Sequence, residues 1–192
     1  MRIGINILLI LIILGLSYVL VDSIREPIEF ESQRTLREGA VTDRLDQIRI
    51  AQESFREITG KFAHNFDTLQ QVLSTEDFRI ISILGDADAK DAANEIVYDT
   101  TFVSAKDSIM NLGINIDSLP FIPWTNNERF EIKADTMTYQ ATLVYVTEVG
   151  TNRNKYMGKY SDPKYKRYDD TYEPDKFIKF GDMTKPSLAG NW

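Results

Sequence analysis

The chain opens with nineteen uncharged residues, Ile3 to Val21, in which only Gly4, Asn6, Gly15, Ser17 and Tyr18 dilute the aliphatic side chains. At 1.5 Å per residue this run makes roughly 28 Å of helix, enough to cross a hydrocarbon core about 30 Å thick. It is apolar on every face, which a soluble core helix rarely is. A cleaved signal peptide is the rival reading, with Gly15-Leu16-Ser17 as a poor cleavage site; its apolar core usually runs to about 7 to 15 residues, so length favours an uncleaved anchor.

Behind the span the pattern becomes helical and charged. From Val41 onward the apolar side chains are Val41, Leu45, Ile48, Ala51, Phe55, Ile58 and Phe62, spaced by four, three, three, four, three and four. That spacing draws one stripe on a helix, with Asp43, Arg44, Asp46, Arg49, Glu53, Arg56 and Glu57 on the remaining surface. Gly60 is placed to end the helix. The stripe is expected to pack on the chain's own sheet. A self-associating coiled seam needs the repeat over three or four heptads, and upstream of Val41 it decays. Pro27 fits either the first turn of a second helix or a kink in a continuous one.

Beyond Gly60 the period shortens. Phe66 to Leu73 predicts a short helix capped by Asn65, and Ala105 to Leu112 another. Arg79 to Leu84, Glu95 to Val103 and Lys176 to Phe180 read as strands. Arg129 to Ala134 and Thr138 to Val149 alternate apolar and polar residues, so they predict a hairpin turning at Asp135-Thr136. The two prolines of "LPFIPW", Leu119 to Trp124, predict an extended segment. The expected fold is α+β: a transmembrane anchor (residues 1–22), an amphipathic stem helix (23–62) packed on a small antiparallel sheet, and a periplasmic domain (63–192) that includes a long loop over 151–175.

Charge narrows the function. Twenty-two Lys and Arg against 29 Asp and Glu leave a net charge of −7, the wrong sign for a nucleic-acid footprint. With no cysteine, disulfides, thiolate metal sites and cysteine nucleophiles are excluded. The single histidine, His64, lies in a turn, where a capping or solvent-facing imidazole is expected rather than a catalytic base. Asp86, Asp88, Asp91 and Glu95 have spacings that suit calcium, but a solvated loop is the simpler reading. No cofactor is expected, and enzyme is the minority reading.

One segment stands apart. "TNRNKYMGKYSDPKYKRYDDTY", Thr151 to Tyr172, carries Arg153, Lys155, Lys159, Lys164, Lys166 and Arg167 among Tyr156, Tyr160, Tyr165, Tyr168 and Tyr172. It reads as a solvated loop or as a docking surface for an acidic protein or an anionic glycan, since tyrosine with lysine or arginine is common contact chemistry.

A very hydrophobic helix running without a linker into a helix that closes at "AQESFREITGKF", followed by the short helix of "NFDTL", resembles the stems of type IV pilins and type II secretion pseudopilins. The resemblance covers about the first 75 residues. It departs at Leu9, where those families carry a glutamate five residues after the processed glycine. "EPIEF", "DTTFVSAKDS" and the closing "GDMTKPSLAGNW" resemble membrane-anchored envelope proteins of Bacteroidota. Together with Arg2 ahead of the span and the acidic residues behind it, these resemblances imply a single-pass inner-membrane protein with a cytoplasmic N-terminus and a periplasmic domain. The expected role is a non-catalytic scaffold subunit of a multi-protein secretion, motility or filament machine, partnered by other envelope proteins or by itself. The alternative is an anchored module that binds cell-wall glycan through the Tyr/Lys segment.

Overall fold

The computed structural model describes residues 2–84 and 97–192. The acidic stretch weighed as a calcium loop lies outside the described residues.

Helix α1, Arg2–Thr59, is a single element of 58 residues that passes through Pro27, about 87 Å long at the usual rise. Anchor and stem are therefore one rod. Its first third is the one segment among the described residues long and apolar enough to cross a membrane, and its side chains from Ile5 to Val21 face outward. The rod ends at Gly60, whose φ of 78° lies in the left-handed region open to glycine and whose N–H donates to the Arg56 carbonyl at 2.8 Å.

Helix α2, Phe66–Thr75, follows with the Asn65 side chain accepting from the Thr68 N–H. Strands β1, Asp77–Leu84, and β2, Val97–Ser104, pair only with each other as an antiparallel ribbon. Helix α3, Ala105–Asn111, leads to a 3-10 turn at Ile116–Ser118. A separate sheet then forms from β3, Glu131–Tyr139, β4, Thr142–Asn152, and β5, Phe177–Gly181, in the order β3-β4-β5. Between β4 and β5 lie helix α4, Arg153–Met157, and two 3-10 turns, Gly158–Ser161 and Pro163–Arg167.

Two expectations are corrected. The hairpin does not turn at Asp135-Thr136: these pair with Val146 and Tyr145 inside the ladder, and the turn is Gln140-Ala141, with φ of 47° and 64°. A two-residue turn with both φ positive matches the strand twist; Gln-Ala lacks the Asn-Gly signature that would have marked it. Nor is "LPFIPW" extended throughout. Phe121 bridges Arg129, and the chain doubles back from Trp124, where φ is 65°. The Phe130 N–H donates to the Pro120 carbonyl and the Ile122 N–H to that of Glu128, so the prolines flank a turn instead of stiffening a strand.

A single buried cluster joins these elements. Val41, Leu45, Ile48, Ala51 and Phe55 of α1 belong to it with Phe66, Leu69 and Leu73 of α2, Val149 of β4 and Ile178 and Phe180 of β5. Phe62 is buried and Ile58 half-buried. Gly150 lets β5 approach β4 closely: a Cβ there would sit 2.5 Å from the Ile178 carbonyl oxygen. Outside β5, Asn191 exchanges backbone and side-chain hydrogen bonds with Phe177 and Lys179, which covers the sheet edge with the closing run of the chain.

Gln52 is fully buried beside this cluster. Its amide donates to the Ala63 carbonyl at 3.0 Å and accepts the Ala63 N–H at 2.9 Å, fastening the turn after Gly60 back onto the rod. Gln52→Leu leaves both backbone groups buried without partners, at a cost of about 2–4 kcal/mol. Denaturant unfolding of the full chain in detergent is expected to show that loss; unchanged stability would remove the fastening role.

Candidate functional site

The Tyr/Lys segment is not a loop without structure of its own. From Arg153 to Arg167 it is a chain of short helical turns, and it folds back on α1 just beyond the apolar span. The local reasons are visible. Asp162 caps the last turn by accepting the Lys164 N–H, with Pro163 in its first position. Gly158, at φ 56°, reverses the chain after α4.

Phe30 is the centre of the contact. This ring, 1 % exposed, lies parallel to Tyr165 at 4.7 Å and edge-on to Tyr172 at 5.0 Å, with Tyr160 and Tyr168 at 6.2 and 6.3 Å. Stacked and edge-to-face rings are the favoured aromatic geometries. The Tyr172 hydroxyl donates to the Tyr160 carbonyl at 2.9 Å, so the cage is also fastened within itself.

Around the ring the charges pair with α1. Glu26 accepts from Tyr168 Oη at 2.7 Å, Lys164 Nζ at 2.9 Å and Arg167 Nη2 at 2.6 Å. Glu29 accepts from Tyr160 Oη at 2.7 Å and Lys159 Nζ at 3.2 Å. Arg34 bonds Asp169. Further along, Arg37 donates to the Tyr156 and Met157 carbonyls. Arg153, 5 % exposed, pairs with Glu38 at 2.8 Å and donates to the Glu173 carbonyl.

Protonation follows from these contacts. The Tyr168 hydroxyl, then Lys164, holds the Glu26 carboxyl below its ordinary value. Tyr160, then Lys159, does the same for Glu29. The hydroxyl and N–H of Thr171, with Arg34, bring Asp169 down to about 2. Burial pushes the Tyr156 and Tyr172 phenols up to about 12.

The candidate residues of the sequence thus divide. Arg153, Tyr156, Tyr160 and Tyr165 are buried against the stem; Lys159, Lys164, Arg167 and Tyr168 bond to Glu26 and Glu29. Lys155 sits 3.5 Å from Glu131 of β3, and Lys166 is exposed. Sequence reasoning missed the stem half of the site: Glu26, Glu29, Phe30, Arg34, Arg37 and Glu38. Two signals were present. Phe30 is the one aromatic between Tyr18 and Phe55 on α1, and the five tyrosines are spaced by four, five, three and four, close to helical spacing.

The residues with chemical potential elsewhere are few. His64 is exposed, with the Asn65 amide 2.9 Å from its Nε2. Among the described residues no group of three or more His, Cys, Asp or Glu side chains is arranged to hold a metal ion. Comparison of the chain with protein-family models, curated proteins and solved structures gave no match.

Two outcomes are expected of this contact. Phe30→Ala removes the ring that the tyrosines surround, so unfolding in detergent should show a loss of about 3–5 kcal/mol; a loss below about 1 kcal/mol would mean the cage is peripheral. Acid should loosen it as well. Because Glu26, Glu29 and Asp169 ionise more readily here than in the unfolded chain, the unfolded chain takes up protons first as pH falls. Their stabilisation is present above their ordinary values of 4.5 and 3.8 and declines until Asp169 protonates at about 2. Tyrosine fluorescence followed from pH 6 downward should stay flat to about pH 5 and change below about pH 4.

Proposed function

We propose that this chain is a non-catalytic scaffold subunit of a multi-protein envelope assembly, anchored in the inner membrane through residues 3–21, with its globular part in the periplasm. In this reading the stem seats on the three-stranded sheet, and the tyrosine cage makes stem and domain one rigid piece. A rod that holds a domain in fixed orientation close to the bilayer suits presentation of a surface to neighbours better than turnover of a substrate. Of the cations first read as a glycan site, Arg153, Lys159, Lys164 and Arg167 each pair with a stem carboxylate, Glu38, Glu29 or Glu26, so the segment first of all braces the stem, as a scaffold element does.

The observation that carries the proposal is the β1–β2 ribbon. Phe78 packs against the core, but farther along, Ile80, Ile81, Tyr98 and Phe102 are about half exposed or more, at 48, 50, 66 and 65 %. Ile80 faces Thr101 and Ile81 faces Thr100, so neighbouring residues present apolar groups on opposite faces. A two-stranded ribbon alone is marginally stable in water, and neither outer edge is paired among the described residues. Such an edge takes a further strand through backbone hydrogen bonds, with side-chain contacts adding selectivity. The occupant that fits is a sheet edge of another protein of the assembly.

Tyr98→Ser combined with Phe102→Ser should leave unfolding of the full chain within about 0.5 kcal/mol of wild type. Cross-linking in the native membrane, followed by purification, is expected to give a stoichiometric partner with the wild type and to lose it with the double variant. Recovery of the wild-type chain alone, or partners that persist in the variant, would overturn the reading.

A further inference from the structure

A groove of 560 Å³ opens where the folded-back segment meets α1, lined by Arg25, Glu26, Glu29, Lys159, Lys164 and Arg167 together with Tyr160 and Tyr165. Its position along the rod matters. Arg25, Glu26 and Glu29 lie four, five and eight residues beyond Val21, hence roughly 6, 7.5 and 12 Å past the end of the apolar run. The polar zone on each side of a bilayer is about 5–8 Å deep. The near end of the groove, at Arg25 and Glu26, therefore falls at the level of the lipid headgroups, with Glu29 just beyond it.

Its charge is uneven in a useful way. Four cations face two carboxylates, a surplus of two positive charges on a chain that is otherwise acidic. The carboxylates are occupied: Glu26 accepts three hydrogen bonds and Glu29 two. Each ammonium carries three donors and each guanidinium five, so donors remain on Lys159, Lys164 and Arg167 after those bonds are made. Lys159, Lys164 and Arg167 side chains are 69, 48 and 57 % exposed. Arg25 reaches the same groove from the helix itself.

We infer that this groove binds the phosphate of an anionic phospholipid headgroup, holding the folded-back segment against the bilayer as a collar around the base of the rod. Phosphate oxygens accept readily from lysine and arginine, and basic groups next to a membrane surface attract anionic lipid. A bound headgroup would fix the depth of the rod and, through the cage, the orientation of the domain. The inference rests on the reading of residues 3–21 as a membrane span.

The test uses the full chain reconstituted in phosphatidylcholine vesicles doped with spin-labelled lipid, the immobilised fraction being read by electron spin resonance. Spin-labelled phosphatidylglycerol is expected to be enriched at the protein several-fold over spin-labelled phosphatidylcholine. Arg25→Gln, a residue outside the bonds that hold the segment to the stem, should lower that preference roughly fivefold; Lys164→Gln should lower it similarly. Glycerol phosphate in the buffer separates the sources: no displacement of the lipid signal supports a headgroup in the bilayer, and full displacement would make this a site for soluble phosphate. Equal immobilisation of the two lipids, or a preference unchanged in Arg25→Gln, would overturn the inference and leave the anchor reading intact. Failure of the chain to float with the vesicles would sink both.

Discussion

A rod of 58 residues has to be held along one side, because helix propensity gives little in water without a buried face. Here the held side runs from Phe30 to Phe55, where Phe30, Val41, Leu45, Ile48, Ala51 and Phe55 are at most 2 % exposed. Much of the globular part covers that line. Helix α2 and strand residues Val149, Ile178 and Phe180 share the burial of its later half. The four-tyrosine cage covers its beginning.

The beginning is the harder part to cover. Pro27 removes a backbone donor there, and a proline inside a helix costs about 3 kcal/mol. Beside it, Glu26, Glu29 and Phe30 receive four tyrosines, two lysines and an arginine from residues more than 120 positions away. Individually such exposed ion pairs contribute little. Around a buried ring, with phenol hydroxyls donating to the same carboxylates, they form a network whose members constrain one another. The helix thus stays continuous where its own sequence is weakest.

This arrangement leaves the molecule with three kinds of surface. The apolar run faces outward from Ile5 to Val21 and is long and apolar enough to cross a membrane. The groove just beyond it sets Arg25, Lys159, Lys164 and Arg167 around the hydrogen-bonded carboxylates of Glu26 and Glu29. At the other side, the ribbon of β1 and β2 stands clear of the core with Tyr98 and Phe102 uncovered. Between the first and the last of these surfaces α1 runs as one continuous helix, with the tyrosine cage packed on it at Phe30.

Much of this was legible in the chain itself. The uncharged run, the stripe from Val41 to Ile58, the stop at Gly60, the Asn65 cap and the alternation of β3 and β4 follow from local periods and local hydrogen bonds, which sequence carries directly; Phe62, read as the last of the stripe, lies beyond the helix end at Thr59. The turn at Gln140-Ala141 was not legible, because left-handed backbone was imposed there by strand pairing and not by Gly or Asn. Gln52 read as one more polar residue on a helix; only the return of Ala63 beside it made its amide a fastening. The Tyr/Lys segment shows the limit most plainly. Its composition announced a contact surface, but the contact was Phe30 and the carboxylates of the same chain, since a charge pattern states what a segment can bind and only the tertiary path decides what it meets first.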